Sequence, residues 1–186
     1  MKMILKQSIL AGAMVGIGVV VNSIAGNPYI GSMLFSVALL VIICCDLKLY
    51  TGKIGFIGQI PVPHLACMLI GNLIGVLFPV LLQYPDVISI LIESAATKFA
   101  KSLPELFADG VLCGALMYAA VASKDKIATV FCIMAFILSG YEHCIASFPH
   151  LILNFSVSHL VKFITIVAAN SIGSILFGML CKKETE

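Results

Sequence analysis

Glu142 and His143 stand side by side inside a long apolar run, directly after Ser139-Gly140-Tyr141. An ionisable group at membrane depth costs at least a few kcal/mol and ordinarily faces a functional cavity. Histidine changes charge near neutral pH, so His143 suits a proton donor or a switch. Adjacent residues on an unbroken helix point about 100° apart, so the pair can serve one cavity only if the helix is interrupted, and Gly140 offers the interruption. The plainer alternative is a buried polar pair that ties helices together. A second polar stretch, Cys45-Asp46-Leu47-Lys48-Leu49-Tyr50-Thr51-Gly52-Lys53, interrupts another apolar run. Non-helical backbone at membrane depth survives only where it lines a cavity or is buried in protein, so both breaks are expected to face inward.

The elements that must hold these breaks follow from composition. Of 186 residues, 61% are hydrophobic and 11% charged, against about a quarter charged in a water-soluble domain. A spanning helix needs roughly 20 apolar residues, which gives about six spans in a single all-α membrane domain covering residues 1–186. Apolar runs place them near 5–25, 30–46, 62–84, 105–122, 127–157 and 160–181. The fifth is too long for one simple span. The start, Met1 to Lys6, resembles a leader, but the apolar run after it is long enough to be a retained helix. Lys2, Lys6, Lys53, Lys124, Lys126, Lys182 and Lys183 fall on one side and Lys98 and Lys101 on the other. By the positive-inside rule both termini are cytoplasmic, in a cell inner (plasma) membrane protein. The chain has a net charge of +2 and no arginine, so no basic surface suits nucleic acid. The seven cysteines lie mostly in apolar runs without metal-ligand spacing and read as small packing residues; no cofactor or metal is expected.

The two halves, about 1–84 and 95–181, echo each other. Leu10-Ala11-Gly12-Ala13-Met14 resembles Leu112-Cys113-Gly114-Ala115-Leu116, and Gly71-Asn72-Leu73-Ile74-Gly75 resembles Ala169-Asn170-Ser171-Ile172-Gly173. Repeats of three spans insert with opposite orientations, and breaks at matching places in them point to a transport site. The second and fifth spans match in this way.

These residues resemble the formate/nitrite transporter family. Gly140-Tyr141-Glu142-His143-Cys144-Ile145-Ala146-Ser147 is similar to that family's G-F-E-H-S-I-A-N segment, and Leu49-Tyr50-Thr51-Gly52 to its L-F-T-G loop. Ala95-Ala96-Thr97-Lys98 and Gly110-Val111-Leu112-Cys113 match its vestibule lysine and its G-x-x-C-N segment, and Asn170 its sixth-helix asparagine. The resemblance implies an aquaporin-like inverted repeat, a homopentamer in the lipid bilayer, and a channel for small monovalent anions such as formate, nitrite or hydrosulfide. It makes His143 the central pore histidine, Thr51 the loop residue facing it, and Lys98 the charge that draws anions into an outer vestibule. Phe35 and Leu39 would form one constriction and Phe136 a second, with Leu49 and Tyr50 lining the inner side. Without the resemblance, these apolar residues read as ordinary helix packing.

The chain also departs from the family pattern. Gly114 replaces the asparagine of the G-x-x-C-N segment, which is expected to widen the middle of the pore and to deprive His143 of an amide partner. Ser147 replaces the last asparagine of the histidine segment, and Lys48 stands near a usually acidic place. The shorter chain is expected to lack gating by a mobile N-terminal helix.

Other polar residues have plainer readings. His64 and His159 fall near span ends, where headgroups or water meet them. His150, after Pro149, could line the pore. Glu105 and Asp109 share one helix face. Two other function classes compete: a six-span substrate-capture subunit of a vitamin importer, and a membrane enzyme using Glu142 and His143 as acid and base. The broken helices argue against the first, and the absence of a nucleophile or ligand set beside the pair argues against the second.

Overall fold

A computed structural model describes residues 1–181 as helices joined by short connections. Lys182 and Lys183, counted above among the inner lysines, lie outside the described residues. The α-helices are α1 (Lys2–Ile24), α2 (Pro28–Cys44), α3 (Tyr50–Lys53), α4 (Val62–Leu81), α5 (Pro85–Ala100), α6 (Leu103–Ala122), α7 (Lys126–Leu138), α8 (Cys144–Leu153) and α9 (Val157–Leu180), and a 3-10 turn over Ile54–Phe56 follows α3. Four of them, α1, α4, α6 and α9, are long and apolar enough to cross a membrane; α2, α7 and α8 are shorter apolar helices.

Both interruptions close by the same device. At the end of α2, Leu47 N–H donates to Ile42 C=O and Asp46 N–H to Ile43 C=O, with Asp46 in the left-handed region at φ 48°. At the end of α7, Tyr141 N–H donates to Phe136 C=O and Gly140 N–H to Ile137 C=O, with Gly140 at φ 70°. This Schellman pattern satisfies the last helical carbonyls and turns the chain back toward the middle of the bundle. Gly140 suits its position because it has no Cβ to resist a positive φ.

Small residues let the long helices approach closely. In α1, a Cβ on Gly12 would collide with the Asn72 carbonyl of α4; in α6, a Cβ on Gly114 would collide with the Asn170 carbonyl of α9. Such small-residue contacts replace the hydrophobic drive that is lost between helices in lipid. Gly114 therefore packs two helices together and borders neither cavity described below. The expected widening of the pore is corrected: the α9 backbone occupies the space an asparagine side chain would need.

Helix α5 was not foreseen. Asp86, Glu93 and Lys98 interrupt its apolar residues, so it fails a search for 20-residue spans. One face, Leu91, Ala95 and Phe99, is nevertheless buried, following the helical spacing of four. Pro85 and Asp86 open it, as suits the first turn of a helix. It caps one end of the bundle, where the Lys162 ammonium from the start of α9 donates to Phe99 C=O at 2.6 Å.

Candidate functional site

The loop after α7 returns to the centre of the bundle, where His143 forms the N-cap of α8. Its Nδ1 accepts Ala146 N–H at 3.2 Å, so the neutral ring carries its hydrogen on Nε2. That hydrogen is donated to the Thr51 hydroxyl, 2.8 Å away. Thr51 lies in the first turn of α3 and is fully buried, and His143 is 3% exposed. Two residues 92 positions apart thus meet through the two breaks.

An asparagine from a long helix pins each break. Asn170 Oδ1 accepts Cys144 N–H at 2.8 Å, and its Nδ2 donates to Glu142 C=O at 2.8 Å and Gly110 C=O at 2.9 Å. Asn72 Oδ1 accepts Tyr50 N–H at 2.7 Å, and its Nδ2 donates to Lys48 C=O at 2.9 Å and Ser8 C=O at 2.7 Å. Each amide satisfies the first N–H of a half-helix, which has no partner within the helix. Asn72 was noted above only as part of a repeat echo; its counterpart Asn170 was the signal that could have assigned it.

Apolar side chains narrow the space beside the Thr51–His143 pair to a neck. The Phe35 and Phe136 rings meet edge to face with centroids 5.9 Å apart, and Phe136 stacks on the His143 imidazole at 5.7 Å. Behind them lies a void of ≈ 10 Å³ bordered by Phe35, Leu39, Leu49, Ile133, Phe136 and His143, among others. That volume is about the minimum for one water, so this neck is shut to a hydrated ion. The Tyr50 hydroxyl is 2.8 Å from Ser171 Oγ on α9.

A cavity of ≈ 320 Å³ opens from the neck toward α5 and is lined in part by Phe35, Phe136, Lys98, Lys101, Glu142 and His150. Glu142 is 3% exposed. It is ion-paired with Lys98 and, at 3.2 Å, with Lys101, and accepts the Ser147 hydroxyl at 3.1 Å. Lys101 also donates to Asp109 at 2.7 Å and Gly140 C=O at 2.7 Å. Burial works against the Lys101 charge, but Asp109 and Glu142 outweigh it and raise its pKa, so it stays cationic. Two lysines therefore face two carboxylates. Lys98 borders the cavity as a paired rather than a free charge. Lys101, counted above only for sidedness, is the linchpin of this network, and His150, left open above, lies on the cavity wall. Among the described residues no group of three or more His, Cys, Asp or Glu side chains could hold a metal ion.

Known proteins are similar to this chain in sequence and fold. The nitrite transporter NirC of Escherichia coli is 30% identical over 184 residues, an alignment that takes in 82% of this chain and 69% of that protein. A solved FNT family ion channel superposes with a TM-score of 0.74 at 26% identity, covering 95% of this chain and 85% of the other. A pentameric formate channel with formate bound gives a TM-score of 0.74 at 19% identity and shares the fold. The formate/nitrite transporter family model matches residues 1–183. Nothing in these matches supports a vitamin-capture subunit; the chain belongs to the formate/nitrite transporter family.

Proposed function

We propose that the chain is one subunit of a homopentameric channel, each subunit passing a small monovalent weak-acid anion such as formate, nitrite or hydrosulfide from the α5-side cavity through the Phe35–Phe136 neck and past Thr51 and His143. The observation that carries this reading is the Thr51–His143 hydrogen bond, which joins the two interrupted helices beside an apolar neck. In this reading six segments cross the membrane: α1, α2 with α3, α4, α6, α7 with α8, and α9. The matching Schellman closures and the paired roles of Asn72 and Asn170 support an inverted repeat of three segments plus three. Both termini then face the cytoplasm, and the α5 side faces outward across the plasma membrane.

The physics favours movement of a neutral acid. Taking a bare carboxylate-sized ion into a dry apolar neck costs of order 20 kcal/mol by idealised Born solvation and several kcal/mol after relaxation. Protonating a carboxylate with a pKa near 4 at pH 7 costs only about 4 kcal/mol. Flux therefore rises as pH falls. The test is uptake by proteoliposomes of a panel of anions at two pH values, with the oligomer measured in detergent. Selective uptake of small monovalent anions by a pentamer is expected. A monomer, or vesicles that take up none of the panel, would reject the proposal.

A further inference from the structure

Two histidines border the α5-side cavity, and their hydrogen bonds leave them with opposite capacities for a proton. His143 is fixed as the Nε2–H tautomer: its Nδ1 accepts Ala146 N–H and its Nε2–H points at Thr51. A second proton would have to sit on Nδ1, facing an N–H donor, and would cost the cap of α8. His150 is arranged the other way. Its Nδ1 lies 3.1 Å from Ala146 C=O; a carbonyl can only accept, so Nδ1 bears the hydrogen and Nε2 keeps a lone pair. Among the described residues no buried side-chain nitrogen or oxygen lacks a partner. Nε2 of His150 has no protein partner, so it is not sealed in, and His150 lines the cavity.

We propose that His150 is the proton-loading residue of the outer cavity: it takes a proton on Nε2 from cavity water, binds the incoming weak-acid anion as an imidazolium, and returns the proton to that anion before the neck. This rests on the channel reading above. His143 and His150 are seven residues apart, which on helix α8 places them on one face about 10 Å apart along the axis. Loading therefore precedes the Phe35–Phe136 barrier. In the transfer the N–H bond of His150 breaks and an O–H (or, for hydrosulfide, S–H) bond forms on the anion. One proton and one anion become one neutral acid, and the imidazole is regenerated.

The surroundings link loading to anion entry. The ionisable groups facing this cavity are Lys98 and Lys101 from α5 and its C-terminal end, and Tyr141, Glu142 and His143 from the break. Helix α1 contributes Val19, Asn22 and Ser23, and α2 contributes Phe35. On α9, His159 is stacked on Phe99 with its Nδ1 2.6 Å from Asn154 C=O, and Lys162 is bound to Phe99 C=O. Glu142 is held by both cavity lysines, so a charge on His150 is opposed by the lysines and only partly offset by Glu142. An arriving anion supplies the missing negative charge, so proton and anion enter together.

The test compares formate uptake by proteoliposomes carrying the wild type or H150Q, at acid and neutral pH. Wild-type uptake is expected to rise strongly in acid. In H150Q the acid-to-neutral ratio is expected to fall about tenfold or more, against the roughly hundredfold or greater contribution of a fully positioned acid, with the loss in maximal rate exceeding that in KM. If wild-type vesicles take up no anion, the channel reading fails and His150 with it. If they do and the ratio is unchanged in H150Q, only the His150 assignment fails. Nitrogen NMR of the wild-type imidazoles makes the test independent of how H150Q folds. One ring should carry its hydrogen on Nδ1, bind a second proton as pH falls, and do so more readily with formate present. A spectrum without such a ring, or without a formate response, overturns the proposal.

Discussion

Phe136→Ala tests the neck most sharply. Phe136 is 4% exposed, touches Phe35 edge to face and stacks on His143. Truncation removes about 100 Å³ of side chain, and at about 24 cal/mol per Å³ of residual cavity that costs roughly 2.4 kcal/mol before the transfer loss. Adding about 2 kcal/mol for the apolar surface no longer buried puts the total near 4 kcal/mol, so a lower unfolding temperature in detergent is expected. The roughly 100 Å³ vacated has room for about three waters at about 30 Å³ each. An anion could then keep part of its hydration shell through the neck. Each 1.4 kcal/mol of relief is worth about tenfold in rate, so neutral-pH flux should rise by at least an order of magnitude while the advantage of acid conditions shrinks. Stopped-flow uptake at two pH values, alongside thermal unfolding, reads both effects. A folded variant that keeps the wild-type acid-to-neutral ratio would refute the dry-neck reasoning.

Further perturbations separate the roles of the surrounding residues. Asn170→Ala removes three buried hydrogen bonds at once and, at about 1–3 kcal/mol for a group left unsatisfied, should lower the unfolding temperature and abolish uptake; Asn72→Ala should do the same through Tyr50, Lys48 and Ser8. Glu142→Gln keeps the shape but removes the carboxylate partner of Lys98 and leaves Lys101 only Asp109 and Gly140 C=O, so thermal stability should drop, in line with about 3–5 kcal/mol for breaking a buried pair. Its apparent affinity for anions should increase, in a salt-sensitive way, as the cavity gains positive charge. Gly114→Asn should prevent α6 from meeting α9 and is expected to yield little folded protein, as measured by size-exclusion chromatography.

The membrane class and both helix breaks could be read in the sequence because lipid makes polar residues in an apolar run conspicuous. Glu142, His143 and Thr51 could be placed by motif, and the structure brings His143 and Thr51 into contact. What could not be read was set by direction and by partners. Gly114 looked like a missing amide until the path of α9 showed a backbone in that space. Helix α5 hid because an amphipathic capping helix resembles neither a span nor a loop. His150 gained interest only once Ala146 was seen to bond both histidines, which fixes their hydrogens on opposite ring nitrogens.

The central claim is that the anion passes the Thr51–His143 contact. Its most direct test is formate uptake as a function of pH in proteoliposomes carrying the wild type or His143→Asn, with equal amounts of folded protein. A changed rate of uptake at every pH is predicted for the variant; a curve superimposable on that of the wild type would contradict the account.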